Sequence, residues 1–403
     1  MSKSNNQSDR RAFLRFLAAS PVVGALSGLD FAGAANDFGE HIANAADAID
    51  IFDLKVTAKD ILPTAHYGYL ATGVNGDATL RANRSAFDKY YLRSRRLVDV
   101  SNIDTTVNIL GQDWPSPIIM CPVGSHKAFH SDGEIGSARA ARSRNVLQIL
   151  SSVSSTPIED VASARGEPIW YQLYPTGRWD ITQRLLHRAE NAGCPAVVLT
   201  VDLPARGSAR NTLQRAIRRD TRDCAVCHEN PDVAGRPKPM YADIEMTAEE
   251  FSQSALTWEF LDRIRNETKM KILVKGIVTR EDAESCLEHS VDGIIVSNHG
   301  GRADDSGRGA IESLEEVAAA VNGRTLVLMD SGIRRGTDII KALALGADAV
   351  CIGRPYMWGL SSFGQVGVER AFEILQAELK VAMEFAGTPT LASIGPNAIA
   401  RHS

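Results

Sequence analysis

In this 403-residue chain, a series of short apolar runs ends on polar side chains. Ser151 ends one run, Gln172 and Tyr174 the next, Thr200 and Asp202 the one after, and Lys275 another. Ser297, His299 and Arg302 end or follow a further run, Asp330 closes the next, and Gly353-Arg354 follows the last. A single buried polar residue ordinarily satisfies nearby backbone groups. The same arrangement repeated at one end of successive runs points to a shared site. Two segments specify an anion. Gly332 and Gly353 let backbone N–H groups approach closely. Arg334 and Arg354 add fixed guanidinium charge. That pairing suits a phosphate. Elsewhere, Cys224-Ala225-Val226-Cys227-His228 has the attachment pattern of c-type haem, with His228 as axial ligand and Met240, or Met246, as the sixth. A disulfide, free thiols and a metal site are competing readings of the same residues, and zinc lacks an obvious fourth ligand.

The runs themselves read as strands. They are Pro117–Cys121, Val146–Leu150, Pro168–Tyr174, Ala196–Asp202, Lys271–Lys275, Gly293–Ser297, Thr325–Asp330 and Asp348–Gly353. Amphipathic stretches alternate with them, among them Gly136–Arg144, Trp179–Ala192, Arg280–Glu288, Leu314–Val321 and Thr337–Ala344. Continuous apolar strands alternating with helices imply a parallel sheet covered on its outer face. The number of units predicts an α/β fold, a (β/α)8 TIM barrel, whose chemistry sits at the C-terminal strand ends. A doubly wound sheet would place a phosphate loop near the first strand, and none is visible there. Residues 36–95 read as an N-terminal helical segment, with helices near Asp53–Tyr67 and Asp77–Tyr90. The barrel occupies 96–403, and Val98–Trp114 reads as a hairpin closing its bottom. Residues 203–255 have little apolar periodicity and follow the fourth strand, which makes them a long lid over the mouth.

Residues 1–35 read as an export signal. Arg10-Arg11 precede an uncharged stretch from Phe16 to Leu29, and Ala32-Gly33-Ala34 is a small-x-small cleavage pattern. The adjacent arginines indicate the twin-arginine route, hence a periplasmic protein, or a membrane-tethered one if the segment is retained. An ordinary amphipathic N-terminal helix in a cytoplasmic protein is the alternative. The chain is 44% hydrophobic with a formal charge of −5, so nothing in its charge favours nucleic-acid binding. Six cysteines are too few for a disulfide scaffold.

Several motifs carry a family resemblance. They are Ser297-Asn298-His299-Gly300-Gly301-Arg302, Asp330-Ser331-Gly332-Ile333-Arg334-Arg335-Gly336-Thr337-Asp338, Leu273-Val274-Lys275-Gly276, Tyr171-Gln172-Leu173-Tyr174, Leu199-Thr200-Val201-Asp202 and Tyr69-Leu70-Ala71-Thr72-Gly73. In this order they resemble the FMN-dependent L-2-hydroxy-acid oxidases and dehydrogenases, a family that includes glycolate oxidase, lactate oxidase, mandelate dehydrogenase and cytochrome-linked lactate dehydrogenases. The resemblance runs from about residue 53 to 395. It implies that His299 is the active-site base and that Asp202 holds its other ring nitrogen. Arg302 and Arg210 would clamp the substrate carboxylate, with Tyr69 and Tyr174 bonding the carboxylate and hydroxyl. Lys275 would stabilise reduced flavin. Ser151, Gln172 and Thr200 would bond the ring's polar edge, Asp330 the ribityl chain, and Gly332, Arg334, Gly353 and Arg354 the phosphate. Pro122-Val123-Gly124 and Ser297 would also border the flavin.

The implied reaction is oxidation of a lactate-like L-2-hydroxy acid to the 2-keto acid, with electrons passed from FMN to a quinone or cytochrome. A peroxide-forming oxidase, a lactate monooxygenase and a non-catalytic flavin-binding barrel are the alternatives. The family also implies a homo-oligomer, a tetramer. Departures lie near the flavin. Val123 replaces a threonine and Gly124 an alanine, which opens space there. Val153 replaces an aromatic, Ser331 replaces a glycine, and the stretch around Arg210 aligns only with a one-residue gap.

Overall fold

The computed structural model describes residues 39–204, 210–220, 238–245, 247, 250 and 253–402. Eight parallel strands form its centre. They are β1 Ile118–Met120, β2 Ile149–Ser151, β3 Trp170–Leu173, β4 Ala196–Thr200, β5 Lys271–Ile277, β6 Gly293–Val296, β7 Leu326–Met329 and β8 Ala349–Ile352. Each pairs with its neighbour in chain order, β8 pairs back onto β1, and a parallel bridge from Met120 to Gln148 closes the ring. This is the barrel expected from the apolar runs.

Burial explains why the strands read as unbroken apolar runs. Ile118, Leu150, Tyr171, Val197, Ile272, Ile294, Val327 and Val350 pack outward with the helices. Their alternates pack into a separate cluster inside the barrel, built from Ile119, Ile149, Trp170, Val198, Leu273, Ile295, Leu328 and Ala349. Period-two alternation therefore sends apolar side chains to both faces. Ile109 and Trp114 join the inner cluster from the hairpin Val107–Ile109/Gln112–Trp114, which plugs the bottom as expected.

Helices Gly133–Ser143, Trp179–Asn191, Arg280–Glu288, Ala310–Val321 and Gly336–Ala344 match the amphipathic stretches. The expected Asp53–Tyr67 helix is two helices, Ile51–Ile61 and Thr64–Ala71. Pro63 separates them, because it lacks a donor and pushes Leu62 to ψ 145°. The second expected helix stops at Ser85, continues as a 3-10 turn over Ala86–Lys89, and gives way to a strand, Tyr90–Leu92, paired with Ile399–Arg401. The last barrel helix, Arg354–Ala386, is kinked at Phe363-Gly364.

The segment expected to form a lid contains a helix that the sequence reading missed, Asn211–Arg219. It docks through Leu213 and Ala216 beside Gly68 of Thr64–Ala71, and Asp220 accepts a bond from the Ala65 N–H. Among the described residues, no helix is long and apolar enough to cross a membrane. The export segment lies outside the described residues, as do Cys224, Cys227 and His228.

Candidate active site

The parity that fills the barrel interior also builds its mouth. Two residues beyond Ile149, Trp170, Val198, Leu273, Ile295, Leu328 and Cys351 stand Ser151, Gln172, Thr200, Lys275, Ser297, Asp330 and Gly353. Side chains two apart on a strand share a face, so one pleat converts an apolar plug into a polar floor. A pocket opens there. Its walls include Tyr69, Tyr174, His299, Arg302 and Arg354, and its floor includes Gln172, Thr200, Lys275 and Asp330.

His299 Nδ1 lies 2.7 Å from Asp202 Oδ1, and its Nε2 lies 3.1 Å from the Tyr174 hydroxyl. Burial would raise the Asp202 carboxyl, but the charges of His299 and Lys275 outweigh it and hold the group below its usual range. The carboxylate therefore accepts from Nδ1–H and leaves the Nε2 lone pair facing the pocket. Burial pushes the His299 imidazole below its ordinary value despite Asp202, so it is neutral at pH 7. His299 takes φ +58°, a left-handed conformation uncommon outside glycine, and its N–H bonds Ser297 Oγ at 3.1 Å.

Lys275 is buried with two carboxylates. Its Nζ is 3.6 Å from Asp202 Oδ2 and 3.5 Å from Asp330 Oδ2, and it donates to Ser297 Oγ at 2.9 Å. Burial would depress the amine, but the two carboxylates keep it protonated. Gly276, at φ +113°, makes this packing feasible, because a Cβ there would meet Asp202 Cβ at 2.6 Å. Arg302 donates to the Tyr69 carbonyl, and its guanidinium carbon sits 4.9 Å from the Tyr69 ring centroid.

The other end of the pocket is built for an anion. Arg354 donates to the carbonyls of Leu70, Gly300 and Thr72 and, among the described residues, to no carboxylate. Burial, then Arg302 and Arg334, push its guanidinium well below the ordinary value. A buried cation held by backbone carbonyls, beside a second arginine, matches a phosphate. Arg334, Gly332 and Gly353 line the same end. These residues fit FMN. Arg334, Arg354 and the glycines would hold its phosphate, and Lys275 with the Gln172–Thr200 pair would face the polar edge of its ring.

Some expected residues stand one step back. Ser151 Oγ donates to Gln172 Oε1 at 2.9 Å, and Gln172 Nε2 donates to Thr200 Oγ1 at 2.9 Å, so Ser151 orients the floor rather than lining it. Ser297 similarly serves Lys275 and His299 instead of the pocket surface. Arg210 is not a pocket wall; its guanidinium carbon lies 5.7 Å from the Tyr69 ring. Met240 is 2% exposed and packs in the main apolar core, while Cys224, Cys227, His228 and Met246 lie outside the described residues. The space expected at Gly124 is already filled, since a Cβ there would meet Val153 Cγ2 at 2.6 Å. Pro122 and Val123 line the pocket beside it.

Two features escaped the sequence reading. Cys121 and Cys351 line the pocket floor; inward parity was the signal that could have found them. Glu134, wholly buried, accepts from His126 N–H at 3.0 Å, Ser155 N–H and Oγ at 2.7 Å each, and Thr156 Oγ1 at 2.8 Å. It ties the loop after β1 to the loop after β2, which carry Val123-Gly124 and Val153. No sequence pattern announces that contact.

Comparison with known proteins agrees with this geometry. Residues 58–401 match the model of the FMN-dependent dehydrogenase family. An L-lactate oxidase of Lysinibacillus sphaericus is 38% identical over 357 residues, covering 87% of this chain and 92% of the relative. A crystal structure of mandelate oxidase superposes with TM-score 0.78 at 36% identity, covering 88% of this chain and 98% of that one. A flavocytochrome b2 mutant with pyruvate bound gives TM-score 0.79 at 29% identity, covering 89% and 88%. With the barrel, the phosphate-ready arginines and the carboxylate-held histidine in place, the chain belongs to the FMN-dependent 2-hydroxy-acid oxidase and dehydrogenase family, oxidoreductases acting on CH–OH donors.

Proposed function

We propose that the chain oxidises a small L-2-hydroxy acid to its 2-keto acid and delivers the electrons to a quinone or cytochrome rather than to oxygen. The observation that carries the oxidation is the Tyr174–His299–Asp202 array, with bonds of 3.1 and 2.7 Å, facing Arg302 across one pocket. Arg302 binds the substrate carboxylate through its planar fork, and Tyr69 and Tyr174 orient carboxylate and hydroxyl. Neutral His299 takes a proton at Nε2. Asp202 stabilises the imidazolium that results, and its hold on Nδ1 prevents the ring from turning. Burial raises the Tyr174 hydroxyl far above its ordinary value, so it stays a donor. FMN, when bound, supplies the two-electron acceptor.

The acceptor reading draws on three features. Arg10-Arg11 and the apolar stretch behind them suit periplasmic export, where soluble or membrane electron carriers are partners. The Cys224–His228 motif would let the lid carry a covalent haem, with Met246 as its sixth ligand if Met240 stays in the core. Val153 fills the room that Gly124 would otherwise leave for oxygen. A homo-oligomer belongs to the same reading, and exposed Ile49, Leu97 and Phe385 provide apolar surface for it. The second reading is an oxidase, favoured by the relatives named L-lactate oxidase and mandelate oxidase.

One experiment separates them. The protein, purified from a host that matures c-type cytochromes, is reduced anaerobically with L-lactate, glycolate or mandelate and then mixed with air or with a quinone. Slow reoxidation in air and fast reoxidation by quinone or ferricytochrome support the proposal. Fast reoxidation in air with stoichiometric peroxide assigns the oxidase instead. A sharp Soret band in the starting spectrum identifies the haem variant.

A further inference from the structure

His299 and Arg302 are carried by an unusual turn. His299, Gly300 and Gly301 take φ +58°, +66° and +79°, three left-handed residues in succession. Glycine accepts that backbone freely, but histidine does not. Such a turn persists only where its surroundings over-determine it. Asn298 supplies part of that hold. Its carbonyl accepts from the N–H groups of Gly301, Arg302 and Ala303 at 3.0, 3.3 and 3.3 Å, and its Oδ1 accepts from the Gly301 N–H at 3.1 Å. The Asn298 side chain is itself gripped from the N-terminal part of the chain. Helix Ala78–Ser85 brings Asn83 against it, and the two amides bond reciprocally. Asn83 Nδ2 donates to Asn298 Oδ1 at 2.8 Å, and Asn298 Nδ2 donates to Asn83 Oδ1 at 2.8 Å. Both residues are buried.

Neither amide can turn over. Asn83 Oδ1 also accepts from the Ala310 N–H at 3.0 Å, at the start of helix Ala310–Val321, as Asn298 Oδ1 does from Gly301. A flipped amide would set its NH2 group against a buried backbone N–H and leave both without an acceptor. The helix that carries Asn83 is fastened independently. Asp305 accepts from the N–H groups of Gly76 and Ala78 at 2.9 and 2.5 Å, and Arg84 bonds Asp338 at 2.7 Å. Asn83 thus grips the turn from a fixed support, and it does not line the flavin pocket. We infer that Asn83 is a positioning residue for the oxidation. Through Asn298 it holds the turn that aims His299 Nε2 into the pocket. This role rests on His299 being the active-site base.

The test mixes FMN-loaded protein anaerobically with a hydroxy acid that bleaches the wild type. Wild type, Asn83→Asp, His299→Ala and the double variant are compared. Asn83→Asp keeps the shape of the amide but sets a carboxylate oxygen against Asn298 Oδ1. Flavin reduction should slow by about 10- to 100-fold with FMN content unchanged. In the His299→Ala background the same substitution should change the residual rate by less than about twofold, because the group it serves is gone. Asn83→Ala, which deletes the amide without adding repulsion, should slow reduction by about fivefold or more and covers the case in which the aspartate variant does not fold. Wild-type rates in the Asn83 variants beside a slow His299→Ala overturn the positioning role alone. Equal slowing with and without His299 also overturns it, since the effect would then act elsewhere. Loss of FMN from both Asn83 variants does the same, because the residue would then be purely structural. A wild-type rate in His299→Ala removes the base itself, and the role of Asn83 falls with it.

Discussion

Two cations mark the two ends of the flavin pocket, and their surroundings are opposite. Lys275 sits 3.6 and 3.5 Å from two carboxylates, which keep it charged. Arg354 bonds three carbonyls and faces Arg302 and Arg334, and burial with those two charges holds its guanidinium well below its ordinary value. At the reacting end the charges are matched before any cofactor arrives. At the phosphate end the protein presents charge that only an incoming anion completes. The difference separates preorganisation from affinity: one end keeps its geometry unaided, and the other gains most when FMN binds.

Substitutions can break that contrast. The largest effect is expected from Asp202→Asn, which leaves His299 without its charged partner. Flavin reduction should slow by about 10²- to 10⁴-fold while FMN affinity holds; rapid-mixing absorbance measures both. In the wild type, kcat/KM should rise with pH through an apparent pKa below the usual histidine value of 6.5, because the neutral imidazole is the active form. Next come two cation deletions compared directly. Lys275→Met leaves Asp202 and Asp330 facing each other in the interior and should cost the apoprotein about 3–5 kcal/mol in a urea melt. Arg354→Met should cost the apoprotein less, yet weaken FMN binding by about 10- to 100-fold, read by fluorescence titration. Equal losses in both assays would erase the distinction between the two ends.

The smallest effect concerns the loops that border the reacting end. Burial would raise Glu134, but His126 and the bonds from Ser155 hold it below its ordinary 4.5. A carboxylate depressed in the folded state stabilises above its unfolded value, and that contribution is lost as pH falls through the folded one. Glu134→Gln should therefore cost about 1–3 kcal/mol near neutrality. Its gap from wild type should narrow below pH 4.5 in thermal melts.

Much of this arrangement was legible before the fold was known. Parallel strands buried on both faces leave continuous apolar runs, so the barrel and the polar residues ending each strand could be read in order. Pro63 was equally visible, and its break in the first helix could have been read from it. Other features depend on contacts between distant segments. Ser151 and Ser297 have the correct parity, yet their hydroxyls are taken by Gln172 and Lys275. Gly124 suggested open space because Val153, remote in sequence, could not be seen to fill it. Helix Asn211–Arg219 escaped notice because only Leu213 of its residues is buried.

The most direct test of the account is anaerobic mixing of wild-type protein and His299→Ala with L-lactate, glycolate and mandelate in turn. Wild type should lose its flavin absorbance with at least one of them. His299→Ala should hold the same flavin content, yet stay coloured at least about 10²-fold longer with that acid. Bleaching of the alanine variant at the wild-type rate would contradict it, because the proton would then be leaving to some group other than His299.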